Sequence, residues 1–340
     1  MMHYNNSIIN TLINLNNKRR VNFYSLGRYA LLDVLNVFNI NKSSVILLPD
    51  FICNDVVAVL KYNKFKIVYF SVGKDLVPLL PSSQWQNSDA VVAINFFGIP
   101  QPLSPYIEYS KRTGSIIIED NAHGFLSQTQ QGVWLGMRTD AGIFSMRKTL
   151  ELPDGAAAFI NDHVIMKNKL SEQLDFLGRG VYPLLAIKNK IRNIYLIGGI
   201  SVEIIEYLIR QARILTKLYI QDRKSTKNPN IHSAKKNPHK KMIRNIKSKD
   251  ILDESNRRRS LFFKLSDQSK TYDVFPIYHS LDVGTVPYGF PFRASTDNAI
   301  NFFKKTRLRG MSLNKWPDFP SEVYYQVPDY YKNVWMIHLL

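Results

Sequence analysis

The sequence has a single cysteine, Cys53, among its 340 residues. One cysteine excludes an intramolecular disulfide and is typical of proteins from a reducing compartment. Acidic residues are also scarce, with 27 Asp and Glu against 45 Lys and Arg, which gives a formal net charge of +18. A positive excess of this size favours anionic partners such as phosphorylated substrates, nucleic acids or membrane surfaces.

The chain also lacks an apolar run long enough to span a bilayer. Its most apolar long stretch, Ile194–Ile209, carries Glu203, Glu206 and a pair of glycines, and a spanning helix needs about 20 apolar residues. At the N-terminus the basic residues follow the apolar ones, which is the reverse of a secretory signal. We therefore expect a soluble, cytoplasmic protein without membrane insertion.

Much of the positive charge is concentrated between Asp222 and Asp250, where ten Lys and Arg accompany only those two acids. Such a run could bind nucleic acid, a membrane surface or a polyphosphate substrate. It lacks the regularly spaced aromatic residues of a base-stacking platform. A solvated loop is therefore the favoured interpretation, nucleic acid binding is not expected, and attraction of a nucleotide substrate remains the alternative.

Strand and helix patterns alternate over the first half of the chain. Apolar segments that predict strands are 43–50, 65–72, 89–98, 115–120 and 155–162, and segments with helical periodicity are 25–40, 53–63 and 103–114. This alternation predicts an α/β fold with a mostly parallel sheet covered by helices. Ligands bind such sheets at the carboxyl ends of strands, so Glu119 and Asp120, which end a predicted strand, mark the expected site.

The second half of the chain has a different character. Residues 165–219 carry a largely helical pattern, a further helix is predicted near 250–266, and the remainder is mixed and rich in proline turns. A chain of this length accommodates one large and one smaller domain. We place the large domain at 1–210 and a smaller α+β domain, which includes the basic run 222–250, at 211–340.

A lysine, Lys148, follows Asp120 after 28 residues (148 − 120). A lysine attacks a carbonyl only when it is uncharged, which requires burial or a cationic neighbour. A lysine linked to pyridoxal phosphate, with an acid against the pyridinium nitrogen, meets this need. The cofactor phosphate binds backbone N–H groups at a helix N-terminus, and Gly27 and Ser145 are placed to provide such contacts. A loop acid and a surface lysine are the alternative that spacing alone leaves open.

The sequence around these residues resembles the DegT/DnrJ/StrS family of pyridoxal-phosphate-dependent sugar aminotransferases. The blocks that carry the resemblance are Glu119–His123, Asp140–Ser145, Lys148 and Asp154–Gly155, with Ser25–Leu31, Val45–Val57 and Ile94–Leu103 upstream and weaker matches at Val286–Ala294 and Arg309–Pro320. Several blocks in the right order are far more specific than any single motif. The resemblance implies the fold type I architecture of these enzymes, with a large cofactor domain and a smaller C-terminal domain.

The resemblance also implies roles for individual residues. Lys148 would carry the cofactor and move the proton during transamination, and Asp120 would pair with the pyridinium nitrogen. His123 would lie against the cofactor. Ser145 and the backbone around Gly27–Arg28 would hold the phosphate.

The sequence departs from the family pattern at several positions near this site. Many members have an aromatic residue where this chain has Cys53, so we expect Cys53 to contact the cofactor and Phe51 or His123 to stack on it. Arg147 could contact phosphate or substrate, with a solvated position on a helix surface as the alternative. No metal site is expected. The tight turn after the lysine reads Gly155-Ala156 rather than Gly-Gly.

These features together predict an aminotransferase that uses pyridoxal phosphate. The expected reaction moves an amino group from glutamate to a nucleotide-linked keto sugar, for amino sugars of surface polysaccharides such as lipopolysaccharide. The expected assembly is a homodimer with shared active sites. One alternative is a sugar dehydratase of the same fold, which Lys148 argues against because such enzymes lack this lysine. The other is a degenerate member that acts as a binding protein through the basic run.

Overall fold

The computed structural model of the chain describes residues 7–150, 152, 154–171, 237–238, 242, 246, 251–306 and 311–339. Elements are numbered below over these residues.

A seven-stranded sheet organises the N-terminal half of the chain. Its strands are β1 (Val21–Tyr24), β2 (Val45–Pro49), β3 (Lys66–Phe70), β4 (Ala90–Ile94), β5 (Ile116–Asn121), β6 (Ala141–Phe144) and β7 (Ala156–Ile160). Their order across the sheet is β1-β7-β6-β5-β4-β2-β3. Strands β2 to β6 pair in parallel with one another, whereas β7 is antiparallel to both of its neighbours, β6 and β1. The predicted mostly parallel sheet is confirmed.

Helices connect these strands as the sequence patterns predict. They are α1 (Ser7–Asn17), α2 (Gly27–Val37), α3 (Asn54–Tyr62), α4 (Ser104–Thr113) and the single turn α5 (Met146–Thr149). Helix α4 ends at Gly114, whose φ of 75° places it in the left-handed region that a glycine adopts at little cost. Because β4, β5 and β6 are parallel neighbours, their carboxyl ends lie at one edge of the sheet, next to the start of α5.

A smaller antiparallel sheet forms the C-terminal part. It contains β8 (Phe275–Pro276), β9 (Gly289–Arg293), β10 (Leu313–Lys315) and β11 (Val334–His338) in the order β10-β11-β9-β8. The helices here are α6 (Ile251–Ser269), α7 (Thr296–Thr306), α8 (Ser321–Tyr324) and α9 (Asp329–Lys332). Phe262 of α6 and Phe302 of α7 pack with Phe290 and Phe292 of β9 in a separate buried cluster. This confirms a smaller α+β unit after the large sheet.

The predicted helix near 250–266 is confirmed as α6, but the helical prediction from residue 165 is wrong over its described part. Residues 165–171 have no regular secondary structure apart from a bend at Lys167 and Asn168. The backbone N–H groups of Lys167 and Asn168 both donate to the carbonyl of Val37 at 3.0 Å, so this segment caps the end of α2 and forms no helix of its own. The remainder of 172–219, the domain boundary at 210 and nearly all of the basic run lie outside the described residues. Within the described residues, no helix combines the length and apolarity needed to cross a membrane.

Candidate active site

The two acids that end β5 have different surroundings. Neighbouring side chains on a strand point to opposite faces of the sheet. Glu119 is fully buried, and its carboxylate accepts hydrogen bonds from Arg138 Nε and Asn95 Nδ2, both at 2.8 Å. Asp120, on the other face, lines a cavity at the carboxyl edge of the sheet. Glu119 therefore belongs to a buried structural network, and Asp120 is available for chemistry.

The cavity beside Asp120 encloses about 800 Å³ of open space, including solvent at its mouth. Its walls come from the start of α2, the loop after β2, the ends of β4, β5 and β6, and α5. The residues that line it are Leu26, Gly27, Arg28, Leu31, Ile52, Cys53, Asp55, Val56, Ile94, Asp120, Ala122, His123, Ile143, Ser145, Arg147, Lys148 and Trp316. Of the eight residues predicted from sequence to form the site, all except Phe51 lie in this lining.

Lys148 and His123 contact each other inside the cavity, with 3.3 Å between Lys148 Nζ and His123 Nε2. The backbone N–H of Phe97 donates to His123 Nδ1 at 3.3 Å. Because Nδ1 accepts this bond, the neutral ring carries its proton on Nε2, which faces Lys148. Burial lowers the pKa of His123 well below its usual value, and the charge of Lys148 lowers it further. A neutral imidazole therefore donates toward the lysine amine.

The environment of Lys148 favours its uncharged form. Burial lowers the pKa of Lys148, the cation of Arg147 adds to this effect, and Cys53 and Asp120 oppose it. An uncharged amine accepts the hydrogen bond from His123 and is a nucleophile toward carbonyl groups. The site thus holds a lysine whose burial shifts it toward the uncharged state that carbonyl chemistry requires.

Asp120 provides a carboxylate in the same cavity. The backbone N–H of Ala122 donates to Asp120 Oδ1 at 2.9 Å, which fixes the side chain. Burial raises the pKa of Asp120, and the nearby charge of Lys148 opposes this rise. A partly buried carboxylate of this kind pairs strongly with a cationic ring nitrogen, because the opposite charge compensates its lost hydration.

Aromatic rings surround His123, and two of them were not predicted from sequence as part of the site. The ring of His123 stacks on Tyr288 with 4.4 Å between ring centres, and Trp316 contacts it edge-on at 5.3 Å. Both lie in C-terminal segments that carried the weaker family resemblance, but nothing in their local pattern indicated a role. Their place in the site depends on how the C-terminal part packs against the large sheet.

Phe51, which was predicted as a possible stacking partner for the cofactor, lies elsewhere. It is fully buried, and its ring packs against Tyr331 at 4.8 Å and Trp316 at 5.2 Å. Phe51 therefore packs against Trp316 and does not line the cavity. The ring that the cavity presents beside Lys148 is that of His123.

One end of the cavity is suited to an anion. Leu26, which precedes α2, forms no side-chain cap hydrogen bond, so the first turn of this helix keeps N–H groups without intrahelical partners. Arg28 Nη1 is buried and has no hydrogen-bond partner among the described residues, and Arg28 Nη2 lies 3.9 Å from Asp55. Ser145 lines the same cavity. A helix N-terminus, a guanidinium and a hydroxyl together suit a phosphate group.

The lining therefore fits pyridoxal phosphate in three respects. Lys148 offers an amine whose pKa is lowered by burial, Asp120 offers a carboxylate, and the start of α2 with Arg28 and Ser145 offers a phosphate site. In the part of the chain that the structure describes, no group of His, Cys, Asp or Glu side chains is arranged to hold a metal ion.

Comparison with solved structures shows the same fold in known aminotransferases. The aminotransferase TlmJ from Streptoalloteichus hindustanus is 16% identical, with a TM-score of 0.59 over 94% of this chain and 81% of that one. PseC from Helicobacter pylori, involved in pseudoaminic acid biosynthesis, is 12% identical, with a TM-score of 0.58 over 100% and 92%. Spr1654 from Streptococcus pneumoniae, solved in its PLP form, is 12% identical, with a TM-score of 0.56 over 94% and 81%.

Comparison at the sequence level gives the family. Curated protein sequences yield no significant match. The model of the DegT/DnrJ/EryC1/StrS aminotransferase family matches residues 23–275, which is more than half of the chain. This agrees with the resemblance found in the sequence motifs and with the fold. The chain therefore belongs to the DegT/DnrJ/EryC1/StrS family of pyridoxal-phosphate-dependent aminotransferases.

Proposed function

We propose that this protein transfers an amino group from glutamate to a keto sugar linked to a nucleotide, as a homodimer in the cytoplasm. The product would be an amino sugar for a surface polysaccharide. The observation that carries the proposal is the arrangement of Lys148, His123 and Asp120 around one cavity, which is also lined by Arg28, a residue suited to bind a phosphate.

Each residue of this arrangement has a task that follows from its surroundings. Pyridoxal phosphate, when bound, supplies the carbonyl carbon to which amino groups attach and a ring that accepts electrons. The uncharged Lys148 Nζ accepts the proton from the donor Cα and later returns a proton. His123 Nε2–H holds that amine in place, Asp120 keeps the ring nitrogen protonated, and Arg28 binds the phosphate.

A second cavity supports the nucleotide linkage of the substrate. It encloses about 1000 Å³ of open space, and Trp316 lines both this cavity and the first one. Its wall includes Tyr324, Tyr325 and Lys332, and Tyr325 is 85% exposed. Lys332 Nζ lies 5.6 Å from the centre of the Tyr324 ring.

Exposed aromatic faces stack on nucleobases, and lysine ammonium groups attract phosphates. A substrate that places its sugar at Lys148 could therefore extend past Trp316 and place its nucleoside diphosphate against Tyr325 and Lys332. A free keto sugar would use only the first cavity.

The proposal is tested by offering the purified protein glutamate together with a panel of keto-sugar nucleotides. We expect formation of an amino-sugar nucleotide and of 2-oxoglutarate, both measured by mass spectrometry. The variant Lys148→Ala should form neither product. Turnover in that variant equal to that of the unaltered enzyme would remove Lys148 from the mechanism.

The nucleotide part is tested separately. Tyr325→Ala should raise KM for the sugar nucleotide roughly tenfold, because a stacked base contributes about 1–3 kcal/mol, and should leave kcat nearly unchanged. Tyr62→Ala, which removes another exposed tyrosine, is the matched control. If the sugar 1-phosphate reacts as efficiently as the sugar nucleotide, the nucleotide linkage is wrong while the aminotransferase activity stands.

A further inference from the structure

Three consecutive arginines, Arg257, Arg258 and Arg259, lie on helix α6, and the middle one is fully buried. Removing a guanidinium from water costs several kcal/mol unless its N–H groups are paired and its charge is compensated. A buried arginine therefore needs hydrogen-bond acceptors for its N–H groups. Arg258 has such acceptors, and two of them are backbone carbonyls next to or within the active-site segments.

All three nitrogens of the Arg258 guanidinium donate hydrogen bonds. Nε donates to Glu254 Oε1 at 2.6 Å, one turn earlier on the same helix. Nη1 donates to the backbone carbonyl of Tyr288 at 3.0 Å, and Nη2 donates to the backbone carbonyl of Thr149 at 2.7 Å. One rigid planar group thus joins two segments that are far apart in the sequence.

Each of these two segments positions one of the residues in the contact between Lys148 and His123. Thr149 directly follows Lys148 and ends the single turn α5, where helix carbonyls lack intrahelical partners. The ring of Tyr288 stacks on His123 with 4.4 Å between centres. Arg258 therefore fixes the backbone that carries the lysine and the backbone that carries the ring behind the histidine.

We propose that Arg258 is a positioning residue that sets the distance and angle between Lys148 Nζ and His123 Nε2. Lys148 takes its place from α5, and His123 takes its place from the Tyr288 ring and the Phe97 N–H. A shift of either backbone changes the 3.3 Å contact between them. Because Arg258 lies on a helix of the C-terminal part, it also couples the placement of that part to the geometry of the site.

The experiment compares Arg258→Lys with Arg259→Lys in the cofactor-loaded enzyme. Arg259 is the matched control because its guanidinium also donates to two backbone carbonyls, those of Asp282 and Thr285, and neither of these residues lines the active-site cavity. Lysine keeps the charge in both variants but has no planar fork to bridge two carbonyls. The measurements are kcat, KM, the melting temperature, and the pH at which the visible absorption of the bound cofactor changes.

We expect Arg258→Lys to lower kcat by about 10- to 100-fold, since a displacement of about 1 Å in a site can cost this much. KM should change little, and the pH midpoint of the absorption should shift because the neighbours of the lysine have moved. Arg259→Lys should lower the melting temperature at most and keep both kcat and the midpoint. Equal kcat and equal midpoints in the two variants would overturn the proposal.

A milder variant covers the case in which Arg258→Lys does not fold. Glu254→Gln keeps a side-chain oxygen for Arg258 Nε and removes the compensating charge. It should lower kcat several-fold and shift the absorption midpoint in the same direction as any folded Arg258 variant. A Glu254→Gln enzyme with unaltered kcat and midpoint would contradict the positioning role.

Discussion

At the scale of single residues, the adjacent acids Glu119 and Asp120 are expected to have different roles. Glu119 should stabilise the fold, and Asp120 should act in catalysis. Glu119→Gln should lower the free energy of unfolding by about 3–5 kcal/mol, because it breaks a pair whose carboxylate is fully buried and leaves the partly buried Arg138 without its charged partner. Asp120→Asn should leave stability nearly unchanged and still bind the cofactor. Its kcat should fall strongly, because a neutral amide no longer keeps the ring nitrogen protonated.

Chemical denaturation and steady-state kinetics on both variants distinguish these outcomes. Equal kcat/KM for Asp120→Asn and the unaltered enzyme would mean that the wrong acid has been assigned to the cofactor. A Glu119→Gln protein of undiminished stability would mean that its ion pair contributes nothing.

The charge of Arg147 should contribute to the pH range in which Lys148 reacts. Burial is the main cause of the lowered pKa of Lys148, and this cation lowers it further, so its removal in Arg147→Gln should raise that pKa. The reactive uncharged amine would then form only at higher pH. We expect the pH midpoint for uptake of pyridoxal phosphate by the cofactor-free protein to move upward, as followed by visible absorption.

An exposed cation on another helix provides the control for this shift. Lys111→Gln, on α4, should keep the original midpoint. A midpoint for Arg147→Gln that stays or moves to lower pH would contradict the electrostatic account of Lys148.

Much of the site could be predicted because its residues are close together in the sequence. Asp120, His123, Ser145 and Lys148 lie on two neighbouring strands and the turns that follow them, and strand ends in parallel sheets are known ligand positions. Trp316 reaches the cavity from a distant segment, and no local pattern contains that information. Tertiary packing likewise decides that Phe51 is part of the aromatic core.

At the scale of elements, strand β6 carries the lysine turn and is held tightly against a neighbouring loop. A Cβ atom built at Gly142 of β6 would lie 1.7 Å from the backbone carbonyl oxygen of Gly136. Backbone cannot give way as a flexible side chain does. Gly142→Ala should therefore cost at least about 3 kcal/mol of unfolding free energy, the upper range for overpacking, and should also displace α5.

Gly132 is the matched control for this substitution. Its φ is +81°, and a Cβ atom there would meet nothing within 4 Å. Gly132→Ala should cost only the roughly 1–2 kcal/mol of the left-handed conformation. Denaturant unfolding of both variants measures the difference, and equal stabilities would contradict the close packing of β6.

The alternation of strand and helix patterns predicted most of the large sheet, whereas short elements were missed. Strands β1 and β6 have four residues each, too few for a period-two pattern to be read with confidence in the sequence. The segment 165–171 was predicted as the start of a largely helical stretch, 165–219, from its sequence pattern. The backbone N–H groups of Lys167 and Asn168 instead donate to the carbonyl of Val37 at the end of α2. This is a tertiary contact, which the local sequence pattern does not reveal.

At the scale of the whole molecule, the C-terminal part completes the site by packing on the turn after β4. The backbone N–H of Tyr288 donates to the carbonyl of Phe97 at 2.8 Å. Ser127 Oγ, which has one proton to donate, lies 2.8 and 3.0 Å from the carbonyl oxygens of Gly98 and Val286, and it accepts a hydrogen bond from the backbone N–H of Val286 at 2.9 Å. The stack of Tyr288 on His123 therefore depends on contacts between segments about 190 residues apart (288 − 97).

The proposed homodimer is the prediction that belongs to this scale. Isologous dimers are the commonest oligomers, and the family resemblance implies that active sites are shared between subunits. Light scattering should give twice the chain mass of 39.3 kDa, and activity per chain should fall on dilution below the dissociation constant. A monomer with full activity would contradict the shared site.

The most direct test of the account is to locate the cofactor on the chain. The purified protein is loaded with pyridoxal phosphate, reduced with borohydride, digested and examined by mass spectrometry. We predict that the visible absorption is lost on reduction and that the peptide with Lys148 carries the reduced cofactor, while Lys148→Ala folds normally and carries none. Cofactor found on another lysine, or none found on Lys148 in an enzyme that turns over, would contradict the assignment of this cavity as the active site.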